Sequence, residues 1–150
     1  MSDKKIQKTF NDLGFGFPIQ VINAPMIKIR GKWVLDLNFE KYEKAVLLAL
    51  SQKPSRLTGN EIKFIRNHFE MTLKDFSKRF GNLAHSAVIK WEKFGDDPTN
   101  MNWACEKDIR LFIINELRPK ILVEVYGELE KVASDKRQKV KLEASEIIAA

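Results

Sequence analysis

The 150-residue chain has 44% hydrophobic and 31% charged residues, the balance of a folded protein of one domain, or one domain with a small appendage, and not of a disordered chain. A net charge of +6 favours an anionic partner, while two histidines and a lone cysteine, Cys105, exclude a disulfide framework and a cysteine-built zinc cluster. No apolar run approaches the roughly 18 residues that span a membrane, and the opening MSDKKIQKTF lacks the apolar core of a signal peptide, so a reducing cytoplasm is the expected home.

The charge is uneven. Residues 1–57 carry ten Lys/Arg against five Asp/Glu and residues 58–93 seven against four, whereas 94–118 carry three against five and 119–150 six against six. A nucleic-acid face would therefore lie in the first two-thirds of the chain.

Residues 1–14 are polar and read as a frayed start with a short helix over Lys4–Phe10 and a turn at Asn11–Gly14. Phe15 to Leu37 has strand character, limited by Pro18 and Pro25 to edge or short strands. Met26–Arg30 and Lys32–Leu37 alternate around Arg30-Gly31, which predicts a hairpin. Ile27 and Ile29 should share one face, Trp33, Leu35 and Leu37 another, with Lys28 and Arg30 turned away from the isoleucines. Asn38 caps a helix to about Gln52, with Phe39, Tyr42, Val46, Ala49 and Leu50 at helical spacing, and Pro54 ends it.

Thr58-Gly59-Asn60-Glu61 is a capping box, followed by Ile62, Ile65, Arg66 and Phe69. Thr72 starts a second short helix that stops at Gly81. Ala84 to Lys93 form a third, with Leu83, Val88 and Trp91 closing the core and Ser77 as the small residue where two helices cross. His85, Ser86, Ile89 and Lys90 are left facing outward, the positions from which a recognition helix reads the major groove. Thr99 caps a helix of roughly 100–117, with Met101, Cys105, Ile109, Phe112 and Ile113 inward. Pro119 suits the first turn of a helix from Lys120 to about Ala133, in which Leu122, Val125, Leu129 and Val132 follow a coiled-coil spacing. From Ser134 a disordered tail is expected.

Thr72–Gly95 resembles the helix-turn-helix of the phage-repressor/Cro (Xre) family. The features that match are Thr72-x-x-Asp75-Phe76-Ser77, Gly81, Val88 with Trp91-Glu92, and the loop leading to Pro98-Thr99. The closing Trp91-Glu92-Lys93-Phe94-Gly95 is one residue longer than the family's, Asn82 is an extra turn residue, Ala84 replaces the family's polar cap, and Leu73 replaces its phosphate-binding Gln. The layout as a whole is similar to antitoxins of the MqsA and HigA types, without the paired cysteines of the former's zinc module.

That resemblance implies a mainly α fold: a five-helix λ-repressor-like helix-turn-helix domain with a small N-terminal β-hairpin and a C-terminal helix. The segments would be 1–56 (hairpin plus helix), 57–118 (DNA-binding domain) and 119–150 (helix and flexible tail). It implies a sequence-specific DNA-binding regulator, an antitoxin-like autorepressor binding a palindrome as a homodimer, with a cognate toxin as a further partner. His85, Ser86 and Lys90 would meet base edges or phosphates, and Ile89 either a thymine methyl or the core; Lys74, Lys78 and Arg79 would meet phosphates or are a solvated charged face, and Thr72 is a further candidate DNA contact. Lys28, Arg30 and Lys32 form a second basic surface, for DNA or a toxin, or simply a charged edge that blocks aggregation. Leu122, Val125, Leu129 and Val132 would be the dimer seam. The alternative is a protein-interaction module on an inherited helix-turn-helix scaffold. With no Gly-rich phosphate loop, no Gly-x-Ser-x-Gly elbow and no His-Glu-x-x-His, neither catalysis nor a metal or cofactor is expected.

Overall fold

β-Branched residues alternating with polar ones over Ile19–Ile29 build the strand on which the whole sheet depends. A computed structural model describes residues 3–132 and 139–150. Strand β1 (Lys4–Asp12) pairs antiparallel with β2 (Ile19–Ile29), from Lys4 opposite Ile27 to Asp12 opposite Ile19. The other edge of β2 is shared. Its C-terminal half pairs antiparallel with β3 (Lys32–Leu35), and its N-terminal half pairs parallel with β4 (Val140–Glu143). The sheet thus joins strands from residues 4–35 to one from residues 140–143, and all the α-helices of the described residues but the last lie between β3 and β4 in sequence.

Asn23, at φ 52°, marks the change of partner. Before it Ile19 and Val21 are buried; after it Ala24 and Met26 are, so the inward phase slips by one residue. Pro25 falls in the gap where pairing to β4 has ended, at Ile22, and pairing to β3 has yet to begin, at Met26. Its carbonyl accepts from Asp36 N–H at 2.8 Å on the β3 side. A proline is tolerated there because no ladder bond to its nitrogen is required.

The helices are α1 (Phe39–Ser51), α2 (Gly59–His68), α3 (Leu73–Arg79), α4 (His85–Glu92), α5 (Trp103–Leu117), α6 (Leu122–Leu129, after a 3-10 turn at Pro119–Ile121) and α7 (Ala144–Ala149). One core runs without a break from Val21 and Met26 in the sheet, through Val46 and Leu50 of α1, to Phe76, Val88 and Ile109. A smaller cluster joins Leu48 and Ile114 to Val125 and Leu129 of α6.

Between the helices lies a buried ionic network. Glu106 and Arg110 are both fully buried, one turn apart on α5, and their side chains pair at 2.9 Å. Arg110 also donates to the carbonyls of Lys53 and Ser55, each at 2.6 Å, and Glu106 accepts from Arg56 Nε at 2.9 Å. Burial lowers the pKa of Arg110 from its usual value, and Glu106 beside it opposes that shift. The network pins the 53–57 segment, which has no regular structure of its own, onto α5.

Several expectations need correction. The fold is mixed α/β, with seven helices and a four-stranded sheet among the described residues, 49% helix and 22% strand, and not mainly α. Residues 4–10 belong to a strand and not to a helix, because they complete the edge of β2. Phe39 is 64% exposed on the first turn of α1, and Leu83 is half-exposed because Gly81 and Asn82, both at positive φ, swing it off the core. The hairpin turns at Arg30-Gly31 as expected, both at positive φ. Its register pairs Ile27 with Val34 and Lys28 with Trp33, so Ile27 and Ile29 share one face and Trp33 and Leu35 the other, with Lys28 turned away from the isoleucines as expected. Asn102, and not Thr99, caps α5. Residues 139–150 are not a flexible tail but form β4 and α7, and α6 ends at Leu129, short of the expected Ala133; the tail's start at Ser134 lies outside the described residues.

Candidate nucleic-acid interface

Local sequence fixes the start of each helix around the site. The Thr58 hydroxyl accepts from Glu61 N–H while the Glu61 carboxylate accepts from Thr58 N–H, the reciprocal cap the sequence predicts. Thr72 caps α3 by accepting from Asp75 N–H at 3.0 Å. Helices α3 and α4 are joined by residues 80–84, with Gly81 at φ 87°, a conformation side-chain-bearing residues rarely take. Leu83 N–H donates to Ser77 carbonyl at 3.0 Å across this turn, and Ser77 is buried, as a close crossing needs.

Arg66, near the end of α2, holds the pair in place. Its guanidinium grips both oxygens of Glu92 at the end of α4, at 2.8 and 3.0 Å, and donates to the Met71 carbonyl between α2 and α3 at 3.0 Å. This fork-to-carboxylate geometry is the stronger form of ion pair. It orients α4 relative to α2 without using any residue of the outward face.

On that face His85, Ser86 and Lys90 are exposed and make no side-chain bond among the described residues; Ile89 is half-buried. Ala84 gives no side-chain cap, so the first-turn amides of α4 lack the bond that a Ser or Thr would supply. Exposed N–H groups and unpaired polar side chains at a helix start can meet phosphates or base edges. Lys74 and Lys78 are exposed on α3 and equally unpaired among the described residues.

Arg79 and Thr72 are differently occupied. Arg79 pairs with Asp108 at 2.8 Å and lies over the rings of Phe80 and Phe112, so binding a phosphate would break contacts already made. The Thr72 hydroxyl is engaged in its cap. Lys28, Arg30 and Lys32 gather at the exposed tip of the β2–β3 hairpin.

The expected dimer seam divides. Val125 and Leu129 are buried against Leu48 and Ile114 of the same chain, and Leu122 and Val132 flank that cluster. Their spacing answers to α5 and α1 within one chain, which leaves Val123 and Tyr126 as the exposed apolar residues of α6.

Sequence reasoning missed Arg66–Glu92 and Glu106–Arg110. The i, i+4 spacing of the latter was a visible signal, but one that usually marks a solvated helix face. Cys105 is half-buried, and burial, reinforced by Asp108 and Glu106, pushes its thiol up to about 11, so it stays protonated at neutral pH. Among the described residues no group of three or more His, Cys, Asp or Glu is placed to hold a metal ion. Among the described residues no helix is long and apolar enough to cross a membrane. No family model matches the chain, nor does any curated protein or solved structure.

Proposed function

We propose that the chain binds double-stranded DNA sequence-specifically, with α3 and α4 as a helix-turn-helix and α1–α5 as a λ-repressor-like domain carried on the sheet. The observation that supports this best is the outward face of α4: His85 and Ser86 in its first turn and Lys90 in its last are exposed and unpaired among the described residues, while its other face, Val88 and Trp91, is buried. Lys74 and Lys78 add positive charge beside it for phosphates. On this reading the protein is an autorepressor of the antitoxin kind, two copies reading half-sites about one turn, roughly 34 Å, apart.

The test is a titration of the full chain with random duplex DNA and with the DNA upstream of its own gene, at about 50 and 200 mM salt. The upstream DNA should bind more tightly, and both affinities should fall as salt rises. Lys90→Ala should weaken specific binding by about tenfold, the effect of losing one base contact, with an unchanged circular dichroism spectrum. Absence of binding to either duplex at low salt, or an unchanged affinity in Lys90→Ala, would reject the reading.

A second reading, a protein-interaction module, has one observation in its favour. Lys90 is the only Lys or Arg among residues 84–91, and Arg79 nearby is already paired. On that reading a protein partner co-purifies and the α4 substitutions leave the complex intact.

A further inference from the structure

Phe17 and Pro18, just ahead of β2, face the 53–61 segment and the loop after α4 across a cleft of ≈ 260 Å³. The two loops are tied by their backbones. Thr58 and Pro98 form a β-bridge, Thr99 N–H donates to Leu57 carbonyl at 3.1 Å, and Asn60 N–H donates to Gly95 carbonyl at 2.8 Å. The cleft is therefore framed by hydrogen-bonded main chain, which holds its shape.

Its chemistry is two-sided. Phe17, Pro18 and Pro98 make an apolar wall. The described lining residues also include the cations Lys53, Arg56 and Lys139 and the acids Glu61 and Asp96. Some of this charge is spent inside the protein: Lys53 Nζ donates to both oxygens of Glu61 at 2.8 Å, and Asp96 accepts from Asn60 at 3.0 Å. Arg56 is ion-paired too, giving Nε to Glu106 and Nη2 to the Met101 carbonyl, but its Nη1 has no partner among the described residues. Lys139 is exposed at the cleft and has no partner among the described residues.

Ser55 is the second, independent sign. It lines the cleft, is 1% exposed, and its hydroxyl is the only buried side-chain polar atom among the described residues with no hydrogen-bond partner. Such groups are rare in folded proteins and call for an explanation.

We infer that this cleft binds a small organic carboxylate: an anionic group met by Arg56, Lys139 and the Ser55 hydroxyl, on an apolar body about the size of one ring that lies against Phe17, Pro18 and Pro98. The volume sits just under the roughly 300–1,000 Å³ of ordinary small-molecule sites, which sets the size of the ligand. The inference does not depend on DNA binding.

Benzoate is the probe, titrated into the full chain and followed by amide NMR shifts, with benzamide as the uncharged match and benzamidine as the cation. Benzoate should give saturable shifts centred on residues 17–19, 55–58 and 96–99, and benzamide and benzamidine should bind at least about tenfold more weakly, the order of one charge-assisted contact. Lys139→Glu should weaken benzoate by a similar factor without changing the melting temperature. Ser55→Ala, which removes no existing side-chain bond, should weaken it severalfold. Equal binding of benzamide, shifts scattered over the charged surface, no shifts at all, or an unchanged affinity in Lys139→Glu would each overturn the inference.

Discussion

A methyl group added at Gly59 has nowhere to go. A Cβ there would overlap the Trp91 carbonyl oxygen and lie 2.8 Å from Gly95 N and 3.0 Å from Glu92 O, all of them main-chain atoms at the end of α4. Backbone cannot rotate aside as a side chain can, so α2 and α4 must separate. Gly59→Ala should destabilise the fold by about 1–3 kcal/mol, the range of overpacking in a tight interior, seen as a lower urea midpoint with an unchanged slope. An unchanged midpoint would mean that α2 and α4 are not in this close contact. The same tetrapeptide shows which residues can be read in sequence. Thr58 and Glu61 declare themselves, because the capping box is local and its two members are three residues apart. Gly59 does not, because its reason lies on another helix. Arg66 and Arg110 are hidden the same way: each looks like a solvated charge until the fold brings Glu92 to Arg66 and buries Arg110 against the carbonyls of Lys53 and Ser55.

At the scale of elements, helices with caps and apolar periodicity were legible and the sheet was only half so. Helices α1 to α4 begin within a residue of where Asn38, Thr58, Thr72 and Ala84 place them. The hairpin turn was equally local. Strand β2 was misread because Pro25 argues against a central strand, and the kink at Asn23 that accommodates it depends on where β3 and β4 attach. Strand β1 was misread because Lys4, Lys5 and Lys8 leave few apolar residues to show a period; as an edge strand it buries little. Of the proposed reading face, the exposure of His85, Ser86 and Lys90 was legible from the buried Val88 and Trp91, whereas the engagement of Arg79 by Asp108 was not. Helix α4 also carries a local imperfection. Ala84 has the extended backbone of a cap, φ −68° and ψ 150°, but no side-chain oxygen to offer. Ala84→Ser should supply the missing bond to an amide of the first turn and stabilise the protein by about 0.5–2 kcal/mol in thermal or urea unfolding. A neutral or destabilising result would show that those amides are already satisfied by water at no cost.

The whole molecule is closed by its last twelve residues. Strand β4 covers the edge of β2 from Ile19 to Ile22, and α7 packs on α1, where Lys41 donates to the Ile148 carbonyl at 3.1 Å. Nothing in the sequence of residues 139–150 announces this role, since a four-residue strand and a six-residue helix are too short to show a period. Their order is set from outside, by the unpaired edge of β2 and the apolar surface of α1. Val140, Leu142 and Ile147 are buried there. At about 1.5–3 kcal/mol for each large apolar side chain, they contribute roughly 5–9 kcal/mol, as much as the roughly 5–15 kcal/mol that separates most folded domains from unfolding. A chain ending at Val132 should therefore lose its cooperative unfolding transition or show a urea midpoint far below that of the full chain. It should also aggregate, because four residues of β2 would present an open edge. Leu142→Ala in the full-length protein should show the same defect at smaller scale, about 2–5 kcal/mol. A truncated chain that unfolds at the full-length midpoint would mean that the sheet is complete without β4, and that the helices between β3 and β4 are held by their own core alone.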